Sequence, residues 1–128
     1  MLKTLFNLFR KTDKNSLETL QQRAEQGDAE AMYQLGRFYH IGEVVEADYD
    51  KAMTLYHRAN ALGYPLAANN IGALYDDMGE PEKSVEWFEQ GIRQDDKRAT
   101  INLGRFYLLG IGVRSEEHTS ELQSRDSI

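Results

Sequence analysis

The sequence has no cysteine among its 128 residues. This absence excludes a disulfide framework, a thiolate metal site and a cysteine nucleophile. Because it has no disulfide bonds, the protein needs no oxidising compartment. A reducing compartment is compatible with the sequence, and we expect the protein to be cytoplasmic.

Basic charge and long apolar runs are also scarce. The chain has 15 Lys and Arg against 21 Asp and Glu, a net charge of -6. Binding to a nucleic-acid backbone needs a dense basic surface, so we expect no nucleic-acid partner. No apolar run approaches the roughly 18 to 20 residues that span a bilayer. The apolar fraction of 41% is that of a globular chain, and the length predicts one domain.

A short motif occurs three times, as L-G-R-F-Y at 35–39, I-G-A-L-Y at 71–75 and L-G-R-F-Y at 103–107. An alanine stands four residues before each copy, so apolar residues recur on one face of a helix. The residues of this repeat signature are Ala31, Leu35, Gly36, Tyr39, Ala67, Gly72, Tyr75, Ala99, Gly104 and Tyr107. Aromatic residues at helical spacing are expected in the core between helices, namely Phe38, Tyr39, Tyr56, Tyr75, Trp87, Phe88, Phe106 and Tyr107.

Each copy of the motif is followed by a glycine and then by a second apolar periodicity. Gly42, Gly79 and Gly110 stand where a left-handed residue commonly ends a helix. A second helix is predicted over residues 50–62 in the first repeat and over residues 81–93 in the second. Each repeat is therefore predicted to be a helical hairpin.

These motifs resemble the Sel1-like repeat of bacterial type, a subclass of the tetratricopeptide-like helical hairpins. The resemblance covers about residues 17–113, and the pattern is most complete in the copy that begins at Ala31. The second copy departs from it, with Ser84 and Gly91 in place of alanines and Asp95 in place of the closing glycine. The resemblance implies an all-α fold, an α-solenoid of about two and a half antiparallel helical hairpins.

The function that this resemblance implies is a non-catalytic scaffold that binds a protein or an extended peptide, with no cofactor. If the first helix of each hairpin lines the concave face, Arg37 and Arg105 occupy the same place in two repeats and can bind backbone or carboxylate groups. The predicted partner-binding residues are Tyr33, Arg37, Asn69, Asn70, Arg98 and Arg105. The same groove is expected to include His40, Ala73, Asp76 and Ile101.

The sequence offers little for catalysis or metal binding. His40 and His57 are 17 residues apart on different predicted helices and share no repeated carboxylate partner, so no metal site is predicted. Neither a Ser-His-Asp arrangement nor a glycine-rich phosphate loop is recognisable. A hydrolytic enzyme is therefore the less favoured alternative.

Residues 1–14 form a basic amphipathic segment. Its apolar residues are Leu2, Leu5, Phe6, Leu8 and Phe9, and its basic residues are Lys3, Arg10, Lys11 and Lys14. Two interpretations stay open: a helix that caps the first hairpin, or a weak anchor on a membrane surface. The second would make the protein a membrane-surface adaptor.

Residues 114–128 are expected to be a non-native polar tail. Residues 114–124 read R-S-E-E-H-T-S-E-L-Q-S, which resembles the translation of a sequencing-library adapter. The helical-repeat domain is then expected to span residues 15–113, with a truncated third repeat. Such a repeat would leave an apolar face uncovered, through which we expect self-association.

Overall fold

The computed structural model describes residues 17–112, and all regular structure in that range is helical. The all-α repeat fold is therefore confirmed. The basic segment 1–14 and the tail 114–128 lie outside the described residues. The helices are α1 (17–25), α2 (Ala29–Ile41), α3 (Tyr49–Ala61), α4 (Ala67–Asp77), α5 (Pro81–Arg93) and α6 (Lys97–Leu109).

The chain divides into two compact units between Tyr64 and Pro65. The described part of the first unit contains α1, α2 and α3, and that of the second contains α4, α5 and α6. Across residues 17–112, every helix is too short or too polar to span a bilayer.

Aspartates begin three of the helices. The carboxylates of Asp28, Asp48 and Asp96 accept hydrogen bonds from backbone N–H groups two or three residues further on, at 3.0 to 3.3 Å. Each bond satisfies one of the N–H groups that a helix start leaves without an intrahelical partner. The prediction for α5 matches its observed bounds, Pro81–Arg93, because proline suits the first turn of a helix.

Left-handed residues end the helices, as the glycine spacing predicts. Gly42 closes α2 with φ 77° and Gly110 closes α6 with φ 66°. After α5 the left-handed residue is Asp95, with φ 62°, at the place where the first repeat has Gly63. Aspartate tolerates this region better than most residues with a Cβ, which is why the second repeat keeps its turn without the glycine.

The packing of each hairpin depends on a glycine that faces an aromatic ring. A Cβ placed on Gly36 of α2 would lie 2.7 Å from Cε1 of Tyr56 in α3. A Cβ on Gly72 of α4 would lie 2.6 Å from Cδ1 of Phe88 in α5. Both distances are shorter than a real carbon contact, so only glycine permits these helices to approach so closely.

The sequence predicts that all eight aromatic residues of the repeats lie in the core. The structure does not place all of them there. Tyr56, Phe88 and Phe106 are fully buried, but Trp87 is only half-buried and Tyr107 is 43% exposed. Adjacent residues in a helix point about 100° apart, so one member of an aromatic pair faces the neighbouring helix and the other faces outward. The expectation of a core position is therefore wrong for Tyr107, whereas Phe38, Tyr39, Tyr75 and Trp87 are half-buried.

Candidate partner-binding face

Helices α4 and α6 lie side by side in the second unit and are joined by two polar contacts. Asn102 Nδ2 donates a hydrogen bond to Asn69 Oδ1 at 2.9 Å, and the Arg105 guanidinium lies 3.8 Å from the Asp76 carboxylate. We call this surface the α4–α6 face; its residues are Asn69, Ala73, Asp76, Ile101, Asn102 and Arg105.

The outer part of the α4–α6 face combines charge with an apolar side chain. Arg105 and Asp76 are partly exposed, and Ile101 is 71% exposed. An ion pair of this length at a surface contributes at most about 1 kcal/mol, so its members can exchange partners when a ligand binds. Arg105 can then donate to carboxylate or carbonyl oxygens, Asp76 can accept from N–H groups, and Ile101 can cover an apolar side chain.

Arg98, a predicted binding residue, has a structural role in the second unit. Its Nε and one of its terminal nitrogens donate to both oxygens of Asp96, at 3.1 and 2.8 Å. The same terminal nitrogen donates to the Leu66 carbonyl oxygen at 3.2 Å. These bonds join the start of α6 to the turn that precedes α4, which leaves Arg98 fewer donors for a ligand.

Asn69 and Asn70 are buried, although both are predicted at the binding surface. Their exposed fractions are 5% and 9%. Asn69 uses its side-chain oxygen to hold α6 through Asn102. The buried amide therefore positions the α4–α6 face instead of offering its own side chain to a partner.

Tyr33 is likewise interior, with an exposed fraction of 3%. Its ring centroid lies 4.9 Å from that of Tyr64 and 6.0 Å from that of Tyr56. The side chain thus belongs to the packing of the first unit. A tyrosine at a predicted groove position gives no sequence signal that distinguishes these two environments.

Arg37 is the predicted residue of the first unit that lies at the surface. Its guanidinium donates to Gln34 Oε1 at 3.4 Å, which is a long bond on an exposed helix face. His40, expected beside it, points toward α3 instead, where its Nδ1 lies 3.1 Å from the Tyr56 hydroxyl. Arg37 therefore keeps a cation available at the surface.

A cavity of about 440 Å³, which the sequence did not predict, opens between α1, α2 and α3. The repeat pattern does not indicate this cavity, because α1 precedes the first complete copy of the repeat. The available signal was the spacing of Leu17, Leu20 and Ala24, which marks α1 as amphipathic. The cavity combines apolar and charged side chains, among them Leu35, Tyr39, Leu55, Glu25, Asp50 and Arg58.

Three pKa shifts are resolved in the described part of the chain, and each has a local cause. Burial lowers the pKa of His57. A hydrogen bond from Arg23 lowers the pKa of Asp28, and a hydrogen bond to Glu80 raises the pKa of Lys83. In residues 17–112 no group of three or more histidine and carboxylate side chains is arranged to hold a metal ion.

The recurrence of a helical hairpin, each copy packed through a glycine against an aromatic ring, places the chain in the class of helical-repeat proteins. The Sel1 repeat family matches residues 29–64, 65–96 and 97–118, most of the chain. The chain belongs to the Sel1 repeat family. The first two matches coincide with the two complete hairpins, one in each unit.

Two curated relatives are similar in sequence to this chain. The chain is 32% identical over 114 residues to chitin synthase regulatory factor 4 of Schizosaccharomyces pombe, covering 85% of this chain and 18% of that protein. It is 33% identical over 102 residues to the ERAD-associated E3 ubiquitin-protein ligase component HRD3B of Arabidopsis thaliana, covering 77% of this chain and 16% of that protein. The chain thus spans less than a fifth of the length of these relatives.

Solved structures agree with the fold. A Sel1 repeat protein from Oxalobacter formigenes has a TM-score of 0.67 and 30% identity, covering 77% of this chain and 42% of that chain. A protective antigen of uropathogenic Escherichia coli strains, described as having an SLR fold, has a TM-score of 0.67 and 32% identity. That alignment covers 77% of this chain and 22% of the antigen.

Proposed function

We propose that the chain is a non-catalytic scaffold that binds an extended segment of a protein partner through the α4–α6 face. The observation that carries this proposal is the partly exposed pair of Arg105 and Asp76 beside the exposed Ile101. A peptide backbone needs one donor and one acceptor, and a peptide side chain needs one apolar contact. Arg37 occupies the corresponding place in the first unit, and we propose the same chemistry for it.

The family and the relatives support an interaction role. Sel1 repeat proteins are typically protein-interaction scaffolds. One relative is named as a regulator of an enzyme and the other as a component of a ligase. Both names describe action through another protein, which is the role that we propose for this chain.

The experiment selects peptides from a displayed random library on the full chain and measures their affinity by fluorescence anisotropy. We expect Arg105→Glu to weaken binding about 10- to 100-fold, because a hydrogen bond to a charged group contributes roughly 1.5–3 kcal/mol. Arg37→Glu tests the first unit in the same way. Arg93→Glu is the matched control, since it makes the same charge change on the exposed side of α5.

The affinities of these variants distinguish binding at the α4–α6 face from binding that depends on residues 1–14. Circular dichroism should show the same helix content in all three variants. Equal affinity of the wild type and both arginine variants would contradict the proposal. Loss of binding only when residues 1–14 are deleted would instead favour the capping or membrane-surface interpretation of that segment.

A further inference from the structure

The turn between α2 and α3 is closed by its own contacts. Gly42 takes φ 77°, and a Cβ placed on it would lie 2.8 Å from the Cβ of Ala47. The backbone N–H of Asp48 donates a hydrogen bond to the Tyr39 carbonyl oxygen at 2.9 Å. These contacts join the two ends of the turn, so its side chains have defined positions at the surface of the first unit.

This turn exposes three large apolar side chains. Ile41 and Val44 are each 53% exposed, and Tyr49 is 38% exposed. The turn between α4 and α5 consists of residues 78–80 alone, whereas this one consists of residues 42–48. Because the second hairpin forms with the shorter turn, the packing of a hairpin does not require the exposed apolar side chains. Apolar groups that are rimmed by charge at a surface are typical of an interaction site.

Carboxylates are interspersed with these apolar side chains. Residues 41–50 contain four Asp and Glu residues and neither Lys nor Arg. Glu43, Glu46 and Asp50 are exposed, and no described residue forms an ion pair with them. Lys51 follows in the sequence, but its Nζ lies over a tyrosine ring of α2. The surface of residues 41–50, which we call the acidic turn, therefore fits a partner that is both apolar and basic.

Residues 1–14 of the chain have this composition. Their large apolar residues are Leu2, Leu5, Phe6, Leu8 and Phe9, and their charged residues are Lys3, Arg10, Lys11, Asp13 and Lys14. Four basic side chains against one carboxylate make the segment complementary in charge to the acidic turn. Because both lie on one chain, the segment is present at a high effective concentration, and weak contacts suffice for binding.

The structure also brings the start of α1 close to the acidic turn. Gln21 of α1 and Asp50 of α3 line the same cavity. Leu17 begins α1 and lies one helical turn before Gln21, on the same side of the helix. Residues 15–16 connect the segment to α1, and each extended residue spans about 3.3 Å. Residues 1–14 are therefore long enough to reach the acidic turn from the start of α1.

We propose that residues 1–14 bind to the acidic turn of the same chain. Their apolar side chains cover the exposed Ile41 and Val44, and their basic side chains pair with Glu43 and Glu46. The acidic turn and an anionic membrane surface then compete for the same side chains of the segment. The acidic turn shares no residue with the α4–α6 face, so this proposal and the proposed function can fail independently.

The test uses the full chain, whose lack of cysteine allows a single spin label to be introduced by one substitution. A nitroxide label on Thr4→Cys lies within the segment, and the intensities of amide NMR signals report which residues it approaches. We expect at least a twofold loss of intensity for the amides of residues 41–50. Gly27 and Asp28 lie at the other end of α2, about 20 Å away along the helix, and should keep their intensity.

Charge reversal in the turn distinguishes binding from the mere proximity of a tethered segment. Glu43→Lys combined with Glu46→Lys should remove most of the loss, because like charges then face each other. Glu86→Lys combined with Glu89→Lys is the matched control, since it makes the same charge change on exposed side chains of α5 and should leave the loss unchanged. Added salt should reduce the loss by screening exposed charges. Circular dichroism checks that both double variants keep their helix content.

The proposal fails if the amides of residues 41–50 keep their intensity, or if their loss is the same in the turn variant and the wild type. Sedimentation of the wild type with phosphatidylserine vesicles, together with no loss at the turn, would support the membrane-surface interpretation instead. A spin-labelled chain mixed with an isotope-enriched chain that has no label gives the last comparison. An equally large loss in that mixture would show that the segment binds a second copy, which would contradict binding within one chain.

Discussion

Glycine in the middle of a helix costs roughly 1 kcal/mol relative to alanine, yet each repeat has one there. At Gly36 and Gly72 this cost is offset because an aromatic ring of the next helix occupies the space of a Cβ. At Gly104 the cost remains without that gain, since a Cβ there would have no described neighbour. The same residue in the same motif therefore has opposite consequences for stability.

We predict that Gly72→Ala lowers the free energy of unfolding by about 1–3 kcal/mol, because the added methyl group overpacks against Phe88. Gly104→Ala should instead raise it by up to about 1 kcal/mol through helix propensity alone. Urea unfolding monitored by circular dichroism measures both, and Gly36→Ala should follow Gly72→Ala. Destabilisation of similar size at positions 72 and 104 would contradict this difference between the two glycines.

At the scale of the element, α5 packs in two directions. Its Phe88 ring lies against Gly72 of α4 and also meets Phe106 of α6 edge to face, with ring centroids 5.2 Å apart. Trp87 points to another side of the helix and is half-buried. One phenylalanine thus connects both neighbours of α5.

We predict that Phe88→Ala destabilises the chain by about 3–5 kcal/mol, since it opens a cavity between three helices. Trp87→Ala should cost less than half as much because part of that side chain already contacts water. Thermal and urea unfolding of the two variants give the comparison. A larger loss with Trp87→Ala would mean that α5 is rotated from the orientation described here.

At the scale of the whole molecule, helix bounds depend on residues that are close in the sequence, whereas side-chain exposure depends on residues that are distant in it. Helix bounds, the glycine ends at Gly42 and Gly110 and the small residues of the interfaces follow from short periodic patterns, so the fold could be predicted. The candidate site could be predicted only in part, because exposure depends on distant neighbours. Arg105 is at the surface as expected, whereas Tyr33 and Asn69 are covered by other side chains.

Nearest-neighbour stabilisation gives a prediction for the whole chain. In a repeat array each helix is protected mainly by the helices that pack on it, and amide exchange follows local opening. The Tyr56 ring of α3 covers Gly36 of α2, whereas Tyr107 and Leu108 of α6 are exposed. We therefore expect the amides of Lys97–Leu109 to exchange faster than those of Ala29–Ile41, as measured by hydrogen exchange with mass spectrometry.

The same exchange measurement on a chain without residues 114–128 tests whether that segment affects the protection of α6. If that segment is a non-native tail, its removal should leave the exchange of α6 and the melting temperature unchanged. Faster exchange of α6 after the deletion would show that the segment protects this helix. Equal protection of α2 and α6 in the full chain, lost on deletion, would contradict the tail interpretation.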